Sequence, residues 1–246
     1  MNTINDARLK AGSGQVLTTP DRTIRRPVNQ IGFWSAVSAT VFSIGYGIAV
    51  IIMVVSTITA TERPSSLTGI DLIVATFQPV QMLPLIPSLL LVPAFVILMV
   101  SIHYYAAPEK KIWSHLGIGF ALIYAAMSAI NYITQLTVIR LSILNQETDG
   151  LAMFVMGNSH SIFWALASSY AFMNLAMLFA GSVFEGGRLE QSIRRLFYAN
   201  GASAVITIFG IAVDSPMIYL LGSLVPWCVI FSWATILLAI LFKRNS

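Results

Sequence analysis

Long, continuous apolar runs separated by short polar joints dominate the chain. About 20 consecutive apolar residues cross a bilayer as a helix. Six stretches reach that length, at 32–57, 86–106, 112–139, 161–184, 195–213 and 216–242. Membrane β-strands would instead show short segments alternating with a period of two. The pattern therefore predicts an all-α integral membrane protein built as a bundle of six transmembrane helices. A further apolar run, Ile70 to Phe77, is too short to span, and Pro79, Pro84 and Pro87 follow it. Proline disfavours an uninterrupted helix. The region 68–83 is therefore expected as an extra interfacial segment on the outer face, capping the bundle or acting as a lid.

Polar residues inside a bilayer need partners, so their helical register marks the inward faces. In the third span Gly117, Tyr124, Ser128, Asn131 and Gln135 fall within about 40° of one another on a helical projection. The fifth span repeats the device with Asn200, Ser203, Thr207 and Asp214, and the fourth with Tyr170, Asn174 and Gly181. Ser35, Ser38, Tyr46 and Ser56 share a side of the first. The sixth carries Gly222, Ser223 and Pro226, and Pro226 should kink it and free a carbonyl. Such stripes serve as glue between helices, or they line a polar cavity opening outward. The candidate ligand-binding residues are Tyr124, Ser128, Asn131, Gln135, His160, Tyr170, Asn174 and Asp214. Spans 2–3 and 4–5 both form hairpins with short charged turns, a likeness of composition rather than a demonstrated repeat.

Composition agrees with the pattern. The 246 residues are 57% hydrophobic and 10% charged, with a mean hydropathy of +0.78, against about 25% charged in soluble domains. Charge position adds orientation. Twelve of the fourteen basic residues precede span 1, join spans 2 to 3 and 4 to 5, or follow span 6; only Arg63 and Arg140 fall on the other side. The positive-inside rule then places both termini in the cytoplasm. The net charge of +4 is explained by topology and gives no reason to expect nucleic acid. Residues 1–30, with Gly12, Ser13, Gly14 and Pro20, read as a mobile cytoplasmic tail rather than a cleavable signal peptide. Residues 31–243 read as one membrane domain. The single cysteine, Cys228, allows no disulfide within the chain.

Candidate chemistry is sparse. His103 and His115 flank the second inner joint, but no cysteine or carboxylate completes a metal set, so they read as interfacial side chains and no cofactor is expected. His160 begins span 4 after Asn158 and Ser159, either of which suits a helix cap. The alternative role for His160 is general base beside Asp214. Arg140 is open to pairing with Asp214 or Glu147. Phosphate-loop, zinc-protease and nucleophile-elbow motifs are missing. No charged residue lies mid-span, which argues against proton coupling and voltage sensing. The expected function is a non-catalytic module, a sensor or accessory subunit, binding a small or lipophilic ligand in an outward-facing pocket. A transporter or channel and an intramembrane enzyme on a lipid-like substrate are the alternatives. The expected partners are the lipid bilayer, a small-molecule or lipid ligand and further copies of the chain. The expected location is a multi-pass position in a plasma or inner membrane.

Overall fold

The computed structural model describes residues 21–60, 66–156 and 160–246. Expectations that fall on residues 1–20, on Arg63 and on the caps Asn158 and Ser159 lie outside the described residues. Among those residues all regular structure is helical. Six helical stretches are long and apolar enough to cross a membrane: Arg26–Thr59, Pro79–Tyr105, Pro108–Leu144, Ile162–Gly181, Arg188–Ala212 and Pro216–Arg244. The protein is an all-α, multi-pass six-span bundle.

Span 1 is α1 (Asp21–Ala60), and span 2 is α3 (Leu85–Tyr105). Between them lies the short helix α2 (Gly69–Ala75). Span 3 comprises α4 (Lys111–Thr134), a wide π-helical turn at Gln135–Ile139 and α5 (Arg140–Leu144). Span 4 divides into α6 (Ile162–Ala167) and α7 (Ser169–Gly181). Span 5 is α8 (Arg188–Ala212). Span 6 comprises α9 (Pro216–Val225), a second π turn at Pro226–Phe231 and α10 (Ser232–Arg244). Consecutive spans pack side by side, and α10 packs back on α1 to close the ring. Short joints between apolar helices favour this up-and-down arrangement.

Several boundaries differ from the sequence reading. Helix α1 starts at Asp21, inside the segment read as a tail. Helix α8 starts at Arg188, so Arg194 and Arg195 ride on its first turns rather than in a loop. A cap explains the early start. Glu190 Oε2 accepts from the Glu185 and Gly186 amides at 3.2 and 2.9 Å, and a carboxylate near a helix N-terminus also opposes the dipole favourably. Glu190 Oε1 accepts from Tyr105 Oη at 2.7 Å, and Lys110 pairs with Glu185 at 2.5 Å. Asn29 Nδ2 donates to the Asn245 carbonyl, joining the early part of α1 to the end of α10. Trp34, Tyr104, Trp113 and Tyr198 are exposed near this basic end, as amphipathic rings are at a membrane boundary.

The segment near 68–83 divides into two parts. Helix α2 has no buried residue. Its neighbourhood supplies Ile70, Ile73, Val74 and Phe77 to a small outer cluster with Ile139, Ile143, Leu151 and Val155. The following Pro79–Met82 turn runs into span 2, which therefore starts earlier than residue 86. The inner half of the ring is packed with buried apolar side chains. Phe95, Leu98, Met99, Ile102, Phe184, Phe197, Phe231 and Phe242 are each no more than 2% exposed, and Phe95 meets Tyr124 and Phe231 edge-on at 5.4 and 5.8 Å. Edge-to-face rings fill volume with favourable quadrupole contacts.

Candidate functional site

Three of the spans lose helical regularity in their outer halves. In span 6 Pro226 cannot donate to Gly222, the carbonyl one turn before it. The Gly222 carbonyl accepts instead from Asn174 Nδ2 at 3.4 Å. In span 4 the Ala171 amide bonds to Ser168 at 2.9 Å rather than to Ala167. The Ala167 carbonyl takes the Tyr219 hydroxyl at 2.9 Å. In span 3 the π turn places both Gln135 and Ile139 in the interior. In the bilayer, irregular backbone persists only where other groups re-satisfy it, and π turns are frequent at functional sites.

These breaks surround a cavity of about 340 Å³. Its wall includes Tyr46, Tyr132, Tyr170, Tyr219, Trp164 and Trp227, and among the described residues it contains no Asp, Glu, Lys, Arg or His. Tyr46 stacks on Trp227 with centroids 4.1 Å apart, and Tyr170 lies 4.9 Å from the same indole. The Tyr132 and Tyr170 hydroxyls bond to each other. Trp227 is 3% exposed, yet its Nε1 has no hydrogen-bond partner. An unpaired buried N–H is costly, and this one is closed to the cavity as well as to water. A pocket near 300 Å³ is the lower end of the range for small ligands.

Two neighbouring cavities adjoin it. One of about 320 Å³ shares Met53, Gln81 and Met156 with the central wall and includes Gln135. Gln135 Nε2 donates to the Phe154 carbonyl at 2.6 Å, while its Oε1 is buried without a partner. The other, of about 240 Å³, shares Trp164 and Tyr219 with the central wall and includes His160 and Asp214. Trp164 and Tyr219 meet edge-on at 5.1 Å.

His160 Nε2 and Asp214 Oδ2 are 3.3 Å apart, with both side chains largely exposed. Local backbone sets the carboxylate. Helix α8 ends with the Asp214 amide bonded to Ile211 at 3.1 Å and the Ser215 amide to Gly210 at 2.8 Å. That pairing is a Schellman stop, which needs a left-handed residue after the cap. Asp214 takes that position at φ 49°, which aspartate tolerates better than most residues.

The eight sequence candidates therefore separate. Asn131 and Tyr170 line the central cavity, Gln135 the second, and His160 with Asp214 the third. Asn131 Nδ2 donates to the Phe163 carbonyl at 3.3 Å. Tyr124, Ser128 and Asn174 instead belong to the packed bundle. Tyr124 is fully buried against Phe95. Ser128 bonds Ser169 at 2.8 Å. Asn174 Oδ1 accepts from Asn200 Nδ2 at 2.8 Å. Their stripes do point inward, but these side chains pack against neighbouring helices and line none of the three cavities.

Sequence reasoning missed Tyr132, Trp164, Tyr219 and Trp227 as site residues. The available signal was a set of aromatic residues with polar tips outside the basic-end belt. Tyr132 sits one residue off the stripe, and Trp227 owes its place to the π turn. At the inner end His103 Nδ1 bonds Ser114 Oγ at 2.8 Å, and its ring lies 4.2 Å from that of His115. Among the described residues no group of three or more potential ligands surrounds a metal position. Arg140 Nε donates to Leu136 of its own helix at 3.0 Å. No family model, curated protein or solved structure matches the chain.

Proposed function

We propose that this protein is a membrane-embedded binding module for a neutral, lipophilic small molecule, held in the outer half of the bundle. The observation that carries this reading is the charge-free aromatic cavity above a packed core. A charged ligand would meet no counter-charge in that wall and would pay its desolvation unaided. A hydrocarbon or ring-bearing ligand gains contact with Tyr46, Tyr170 and Trp227. The packed inner half supports a blind cup rather than a through-passage. A plasma or inner membrane location and assembly into oligomers belong to this proposal as well.

Monoolein is a suitable neutral probe. Titrated against delipidated protein in detergent, it should raise thermal stability, by about 2.7 kcal/mol when present at a hundredfold excess over its Kd. Ala167→Leu and Ser88→Leu add bulk to the cavity wall and should abolish the shift without unfolding the protein. A shift that survives both substitutions rules the cavity out as the binding place.

A second reading rests on the His160–Asp214 pair. An imidazole oriented by a carboxylate is a general base, and one beside a lipid-accessible cavity suits hydrolysis of an ester-bearing amphiphile. Fatty-acid release from monoolein is the assay. Under this reading His160→Ala lowers the rate by about 10²-fold or more. Asp214→Gly does so too, while relieving the left-handed position and stabilising the fold by up to about 1 kcal/mol. Equal turnover by wild type and both variants eliminates the enzyme reading and leaves the binding module intact.

A further inference from the structure

We propose that the ligand of the central cavity is a membrane-resident lipophile, which enters sideways from the outer leaflet between α1 and α9. This rests on the reading of the cavity as a binding site. Among the described residues, the hydrogen bonds between the helical cores of span 1 and span 6 lie in the inner and middle parts of span 1. Thr40 donates to Thr235 at 2.8 Å, and Ser43 bonds Ser232 at 2.9 Å and the Trp227 carbonyl at 3.1 Å. A Cβ placed on Gly47 would meet Cys228 Sγ at 3.8 Å, so the helices are still close there.

Beyond Gly47 they part. The outer half of α1 packs on α3 and on the Pro79–Met82 turn, while α9 packs on α8. Helix α9 is drawn to α8 by glycines. A Cβ on Gly210 would fall 2.3 Å from the Tyr219 amide nitrogen, and one on Gly222 would fall 2.4 Å from that of Thr207. The cavity occupies the wedge left between the two helices, with Val50, Met53 and Val54 on one side and Leu220, Ser223 and Leu224 on the other. Val54 and Leu220 are 43% and 37% exposed, and both would meet acyl chains. On the side of His160 the described residues cover the cavity. Trp164 Nε1 donates to the Met156 carbonyl at 3.1 Å, and the Trp164–Tyr219 contact stands between the central cavity and the exposed His160–Asp214 pair. An apolar rim facing lipid admits lipid-soluble molecules at little desolvation cost.

Tryptophan quenching tests the route. Trp34, Trp113 and Trp233 are replaced by phenylalanine in the full chain and Trp164 by tyrosine, which keeps a polar-tipped ring against Tyr219, leaving Trp227 as the sole tryptophan. A sister protein keeps only Trp233, which is 59% exposed. Both are placed in phosphatidylcholine vesicles with brominated or plain acyl chains, and acrylamide probes access from water. Trp227 should be quenched by brominated chains at least half as strongly as Trp233, and only weakly by acrylamide. Narrowing the rim with Val54→Phe and Leu220→Phe should reduce its bromolipid quenching to less than half and leave Trp233 unchanged. Strong acrylamide quenching with indifference to brominated chains overturns the lateral route in favour of entry from water. If neither quencher reaches Trp227, the route also falls. Monoolein stabilisation that persists then shows that the binding site stands without the portal, and its loss shows that the binding reading fails as well.

Discussion

Replacing Gly222 with valine is expected to destabilise the protein by about 3 kcal/mol or more, a larger loss than ordinary overpacking by a methylene. The reason is that its neighbour is main chain. A Cβ at this position would sit 2.4 Å from Thr207 N and 2.8 Å from Ile206 C. At Gly210 it would sit 2.3 Å from Tyr219 N and 2.7 Å from Tyr219 Cα. A crowded side chain changes rotamer, but a crowded backbone moves its whole helix. Moving α9 off α8 also strains the Asn174 bond to the Gly222 carbonyl, which Pro226 leaves without a helical donor. Alanine at either site should cost about 1–3 kcal/mol. Gly119 provides the contrast, since a Cβ there meets no atom within 4 Å. Gly119→Ala should be neutral or gain up to about 1 kcal/mol from helix propensity. Thermal unfolding in detergent, followed by size exclusion, ranks the three. Similar losses at Gly119 and Gly222 would show that the close approach of α8 and α9 is not what these glycines serve.

The Asn174–Asn200 pair carries the second large effect. Asn174 links three spans: it accepts from Asn200 on α8 and donates to the Gly222 carbonyl on α9. Asn174→Leu should cost about 2 kcal/mol, because it strands a buried amide and a buried carbonyl together. Asn200→Leu should cost less, since Asn174 keeps its bond to Gly222. The double variant should cost less than the two single losses combined, with a coupling of about 0.6–2 kcal/mol. Additive single losses in the unfolding measurement would mean that the two amides do not depend on each other.

The same pair shows where a sequence stops being legible. Asn131 and Asn174 are indistinguishable by type and register: each is an amide on the inward stripe of its span. One reaches a cavity wall and the other becomes glue. Register says which way a side chain points; it does not say how far away the next helix stands. That distance depends on which residue the neighbouring span presents. Opposite Asn174 the glycines of α8 and α9 bring backbones together. Around Asn131 the π turns at Gln135 and Pro226 and the break at Ser168 keep them apart. Of these irregularities, only the one at Pro226 has a local chemical cause that the sequence displays. The His160–Asp214 approach was likewise open from sequence. Both residues read as outer, but a 3.3 Å separation requires the Schellman turn that ends α8.

The six spans and their inward faces follow from the chain alone, and its basic residues give the expected orientation. Apolar length and helical period are local properties, and a bilayer rewards them independently of any partner helix. The cavity, its aromatic wall and the gap between α1 and α9 come only from tertiary structure. They are the space left where helices diverge, and divergence is decided jointly by residues on different spans. In this protein the close fit of α9 on α8 and the lean of α1 toward α3 open the space of the central cavity.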